Sequence, residues 1–150
     1  MKADITHPRI ALTGLLARGH GRPRAEAVAA ATVRLDAQRE MAMTAITALI
    51  DGLETRTGDL AAMGRDADRV VTLAQTFGLT PLADAAKRLC DLTALLRLRR
   101  RPAPEAVSVH VQALRLFAPG SPALHDAEAA LVLGRIAALA AHLSSPLSER

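Results

Sequence analysis

Between Leu73 and Leu96 the chain reads LAQTFGLTPLADAAKRLCDLTALL, and the segment Gly78-Leu79-Thr80-Pro81 at its centre admits few folds. Glycine suits the left-handed position just past a helix C-terminus. Pro81 fits the first turn of a new helix, where its missing N–H has no partner to lose, and Thr80 is placed to cap that helix. Apolar residues recur at helical spacing on both sides: Ala67, Val70, Val71, Ala74 and Phe77 before the corner, and Leu82, Ala85, Ala86, Leu89, Leu92 and Leu96 after it. The stretch predicts two amphipathic helices meeting at a tight turn.

The rest of the chain extends the pattern. A long helix is predicted from about Arg24 to Glu54, with Leu35, Ala42, Ala45, Ile46, Leu49 and Leu53 on its apolar face, and with RLDAQRE as a bend or exposed turn. The segment from about Asp59 to Phe77 follows. The helix from Thr80 carries an Asp84 and Arg88 pair at four-residue spacing and ends at RRRPAP. A further helix spans about Pro104 to Phe117. After APGSP, with Ser121 as cap and Pro122 as first helical residue, a last one runs to about Leu143. It is predicted to bury Ala129, Val132, Leu133, Ile136, Leu139, Ala140 and Leu143, with Glu128, Arg135 and His142 on the wet side. A short helix around Pro8 to Arg18 precedes all of these.

Composition supports helices over strands. Half the residues are hydrophobic but only 1% are aromatic, with no Trp or Tyr and two Phe, so the core must be made of Leu, Ala, Val and Ile. The expected fold is all-α, an antiparallel four-helix bundle with an extra N-terminal helical segment. Residues 1–22 are read as an N-terminal arm or short helix and 23–150 as the helical bundle domain. The lone Cys90 forms no intramolecular disulfide, and the apolar run Ile10 to Ala17 lacks a signal-peptide cleavage site, so a cytoplasmic protein without a membrane segment is expected.

Chemistry is sparse. His110, in VSVHVQAL, shares a face with Val107, Val111 and Leu114 and reads as a buried imidazole bonded within the bundle. His125, Asp126 and Glu128 are metal-ligand types without the spacing of a metal site, and read as helix capping. Cys90 has no neighbour to activate it. The net charge of +4 is nearly all arginine, since Lys2 and Lys87 are the only lysines, and Arg97 to Arg101 holds the one cluster. With almost no aromatic residue for base stacking, nucleic acid is a poor fit. No glycine-rich phosphate loop or nucleophile elbow occurs, so no enzyme, cofactor or metal is expected.

The corner and its flanks resemble a known family. AQTFGLTPLADAAKRLCDL, followed by VSVHVQALRLF on the next helix, is similar to the second half of the histidine-phosphotransfer (Hpt) domains of alphaproteobacterial signalling proteins. In those, a helix carrying His, then Lys or Arg and Gly three and four positions on, runs into a Thr-Phe-Gly-like corner. The next helix carries a Ser-Leu-Cys-like patch, and a later one a His-Val-Asp-Ala-Leu-like patch. The resemblance covers about Asp66 to Phe117.

Counting back from Gly78, the position of the family's phosphorylated histidine falls on Asp68, and those of its basic residue and glycine on Val71 and Thr72. No histidine lies between His20 and His110. The resemblance therefore implies a degenerate domain without the phosphorylatable histidine. On that helix Asp68, Thr72 and Gln75 form an outward stripe with Arg65 and Arg69 beside it. These five are the candidate partner-binding residues, and the implied partner is a response-regulator receiver domain or a histidine kinase. Self-association as a homodimer is also compatible. The alternatives are an active phosphotransfer protein using His110, or a helical interaction or oligomerisation domain unrelated to phosphorelay.

Overall fold

A computed structural model describes residues 23–56 and 58–145. It is all-α, with no strand among the described residues: α1 (Arg24–Thr55), α2 (Leu60–Thr76), α3 (Thr80–Arg99), α4 (Pro104–Leu116) and α5 (Asp126–Ser144). The expected short helix at Pro8 to Arg18 and the arm 1–22 lie outside the described residues. The chain divides into two compact units, Met1–Ala37 and Gln38–Arg150, with the boundary inside α1. In the described part of the first unit every side chain is exposed except the half-buried Ala30.

The core lies in the second unit. Ile46, Ile50 and Leu53 of α1 join Met63, Ala67, Val70 and Ala74 of α2, twelve apolar or small residues of α3 and α4 among them Leu89, Leu92, Val107 and Leu114, and Ile136 of α5. α2 packs on α3, α3 on α4 and α5, and α4 on α5. At the α2–α3 crossing a Cβ added to Gly64 would sit 3.1 Å from the hydroxyl oxygen of buried Thr93. That hydroxyl is committed, donating to the Cys90 carbonyl at 2.9 Å. A second tie joins α1 to α4. Arg115 grips Glu54 through Nε and Nη2, each at 2.7 Å, and Nη2 also reaches Asp51 at 2.7 Å, and this hydrogen-bonded guanidinium holds the Glu54 carboxyl below its usual range.

The corner forms as the sequence requires at Gly78, which has a φ of +73°. Leu79 N–H donates to Ala74 O at 2.8 Å and Gly78 N–H to Gln75 O at 3.2 Å, closing α2 in the motif typical of a left-handed glycine. The cap of α3 differs from expectation: Leu79 occupies the N-cap position, Thr80 is already helical, and no side chain caps the helix. Arg100, with a φ of 50°, takes the left-handed position after α3, where a glycine would be unstrained.

Five other expectations are corrected. RLDAQRE does not bend; α1 runs unbroken through it, as the helix-forming strength of Ala, Gln, Arg and Glu favours. Leu35 and Ala45 are exposed, and Ile50 takes the core place. The Asp84 and Arg88 pair does not form, because Arg88 is turned inward with its Nε buried. α5 starts at Asp126, not Pro122, since the Ser121 hydroxyl donates to the Arg115 carbonyl at 2.7 Å and closes α4 instead of capping α5. Of the seven residues expected to be buried on α5, only Ala129 and Ile136 are; the other five are half-buried.

The tight crossing makes a direct prediction. Gly64→Leu forces α2 away from α3 and lowers stability by about 1–3 kcal/mol in urea denaturation, as overpacking does; an unchanged midpoint would show the crossing to be loose.

Candidate functional site

α2 owes its start to Asp59, whose carboxylate accepts from the Ala61 and Ala62 N–H groups at 3.1 and 2.9 Å. Those bonds hold the Asp59 carboxyl below its ordinary value. From there Met63, Ala67, Val70 and Ala74 face the core at helical spacing. The opposite face carries Arg65, Asp68, Arg69, Thr72 and Gln75, and all five are exposed. The Thr72 hydroxyl donates to the Asp68 carbonyl at 3.1 Å and Thr76 repeats the pattern on Thr72 at 2.8 Å, so these hydroxyls lie along the helix.

This polar ridge is bordered by two grooves. On the α1 side an apolar groove of about 580 Å³ is lined by Ala45, Ala48, Leu49 and Leu73, with Arg69 and Thr72 on its rim. On the α3 side a smaller one of about 280 Å³ places Arg65 and Asp68 opposite Cys90, Ala94 and Arg97. The Cys90 thiol approaches the Gly64 carbonyl at 3.7 Å, and burial, then the negative charges of Asp68 and Asp91, push it up to about 11. It is a thiol, not a thiolate, at neutral pH.

Asp66 is the residue that the sequence reading passed over. It lies on the buried side of α2, one position before Ala67, where its carboxylate accepts from Arg56 at 2.6 Å while Arg69 stands 3.8 Å away. An acid on an apolar stripe needs a cation nearby, and Arg56, in the connection before α2, was the available signal. The pair fixes the segment leading into α2, and Arg69 borders both this pair and the ridge.

His110 is fully buried. Its Nδ1–H donates to the Ala106 carbonyl at 2.8 Å, and Nε2 has no hydrogen-bond partner. Burial first, and Arg88 across on α3, lower its pKa, so the ring is held neutral. Among the described residues no three His, Cys, Asp or Glu side chains gather into a metal-binding group; Glu128 instead accepts from the His125 backbone N–H at 2.9 Å. In the arginine cluster, Arg99 donates to the Leu143 carbonyl at 2.8 Å and also to Ser144, closing the end of α5.

No protein-family model, no curated protein and no solved structure matches the chain. The resemblance to phosphotransfer domains stands on its residues alone.

Two expected outcomes follow from these environments. Because folding holds His110 neutral, the unfolded chain takes up a proton that the folded one resists once pH falls below the ordinary value of 6.5. Stability then declines as pH drops from about 7 toward 5, and His110→Leu removes that part of the slope; equal slopes in the two proteins would contradict the burial. Asp68→Asn removes one of the charges that raise the Cys90 pKa and speeds alkylation of the thiol by iodoacetamide, whereas Asp68 remote from Cys90 would leave the rate unchanged.

Proposed function

We propose that this chain is a noncatalytic, Hpt-like signalling module that binds a response-regulator receiver domain or a histidine kinase through the α2 ridge. In this reading the helices around α2 and α3 are the antiparallel four-helix bundle of that family, with an extra N-terminal helical segment, working in the bacterial cytoplasm. The observation that carries it is the placement of Asp68. Where the resembling domains hold a phosphorylated imidazole, this chain exposes a carboxylate in the middle of a polar ridge, beside an apolar groove that an incoming helix can fill.

A carboxylate at that position has no imidazole nitrogen to accept a phosphoryl group, and Val71 and Thr72 supply neither the cation nor the glycine of the family pattern. The alternative of transfer through His110 meets a physical obstacle: the ring is wholly covered, and its one free nitrogen lies where no phosphoryl donor reaches it. The ridge itself mixes Arg65 and Arg69 with Asp68, a pattern that selects partners by charge complementarity more than by area. The module acts by occupying a receiver or kinase, as a sequestering or adaptor component.

The test mixes the chain with acetyl-phosphate-charged receivers and with kinases from its source and scores complex formation and acid-labile phosphate together. Binding without label is the expected result. Asp68→Arg combined with Thr72→Arg weakens that binding by about tenfold or more while helicity is kept, since both changes fall on exposed positions near the centre of the ridge. Label on the chain would point to active transfer, and no complex with any partner would leave a helical interaction domain outside phosphorelay.

A further inference from the structure

α5 is the most apolar of the described helices. By length and composition alone it is the one described helix long and apolar enough to cross a membrane. Yet only two of its 19 residues are buried. One face packs on α3 and α4. The opposite face carries Ala127, Leu131, Gly134, Ala138 and Ala141, all exposed, with Leu131 57% exposed. Their spacing alternates four and three, which is the spacing of a coiled-coil seam. Glu128, Arg135 and His142 run seven apart along one border of that seam, and the other border is Ala130 and Ala137, without charge.

We infer that this face is a self-association surface, on which a second copy of the chain lays its own α5 antiparallel. The charge order argues for this occupant. In an antiparallel coiled pair the same border of each helix meets across the seam, so Glu128 of each copy faces Arg135 of the other, giving two ion pairs from one two-fold axis. The seam positions fall into step in the same alignment: Leu131 of each copy meets Gly134 of the other, a knob against a residue with no side chain, and Ala127 meets Ala138. A parallel pair would set Glu128 and Arg135 against the alanine border, with no ion pair formed. The chain's own α5 therefore complements this face in both charge and shape. Glu128 is able to serve twice, since Oε2 takes the His125 N–H at 2.9 Å and the second carboxylate oxygen remains for Arg135. Gly134 has nothing within 4 Å of where a Cβ would stand, so the space for the opposing leucine is open in the single chain.

One helix from each copy makes a small interface, and the dimer is expected to depend on concentration. Sedimentation velocity on the full chain, in a series reaching about 0.1 mM, reads the monomer–dimer balance, with circular dichroism as the check on folding. The wild-type chain doubles in mass along the series, and Leu131→Glu stays monomeric with its helicity and thermal midpoint unchanged. Glu128→Arg and Arg135→Glu are each monomeric alone, because each places two like charges across the seam. Mixed in equal amounts they dimerise, because the mixture sets Arg against Glu on both sides. That rescue cannot come from the bond Glu128 makes to His125, which the mixture does not restore. Should Glu128→Arg fail to fold, Leu131→Glu and Arg135→Glu decide the question. The inference is overturned by a wild-type chain that stays monomeric throughout, by variants that dimerise as well as wild type, or by a folded mixture that remains monomeric. It is equally overturned by a drop in the thermal midpoint of monomeric Leu131→Glu, which would mean that the face is covered from within the chain. Co-sedimentation of a monomeric wild type with phosphatidylglycerol–phosphatidylcholine vesicles would assign the face to a lipid surface instead.

Discussion

The contact on which the second unit depends is the close crossing of α2 and α3 at Gly64 and Thr93. A core with almost no aromatic side chains has little bulk to span wide gaps between helices, so its stability relies on small residues that let backbones approach. Ala67, Ala74, Ala85 and Ala86 are all fully buried, and Gly64 supplies the point where even one methyl would press on a hydroxyl already bonded to its own helix. This crossing also sets the direction in which α2 faces outward. Once Ala67, Val70 and Ala74 are turned to the core, helical geometry leaves Arg65, Asp68, Thr72 and Gln75 on the far side.

The electrostatic contacts secure the ends of elements more than their middles. Asp59 starts α2, Arg56 and Asp66 hold the chain just before it, Arg115 fixes the C-terminal turns of α1 to α4, and Arg99 closes α5. The Arg115 cluster is exposed and solvent weakens it, while the Asp66 carboxylate is mostly covered and more dependent on its partner. Part of the arginine excess that could have suggested a polyanion partner is thus spent on carbonyls and carboxylates of the same chain.

How much of this was legible in the sequence follows from which determinants are local. Gly78 and Pro81 announced the corner because positive φ and a missing N–H are properties of single residues. The outward stripe on α2 was legible too, since helical spacing alone places Asp68 opposite Val70 and Ala74. Ser121 and Pro122 carried the same local signal as a helix start, but the carbonyl of Arg115 claims the Ser121 hydroxyl and shifts α5 to Asp126. Likewise the i, i+4 spacing of Asp84 and Arg88 suggested a pair, and packing drew Arg88 inward. Asp66 needed a cation from another segment, and the groove beside the ridge needed Ala45 and Ala48 to stay uncovered. Neither is written in the periodicity of one helix.

The functional account rests on a surface that presents a polar face without the histidine on which the resembling domains carry the phosphoryl group. The most direct measurement is an NMR titration of the isotopically labelled chain with phosphorylated receiver domains and kinase domains from its source. The account predicts that at least one partner shifts the amide resonances of Arg65, Asp68, Arg69, Thr72 and Gln75 as a cluster, with no phosphoramidate phosphorus signal appearing on the chain. A phosphoramidate signal, or shifts confined to helices other than α2 with every partner that binds, would contradict it.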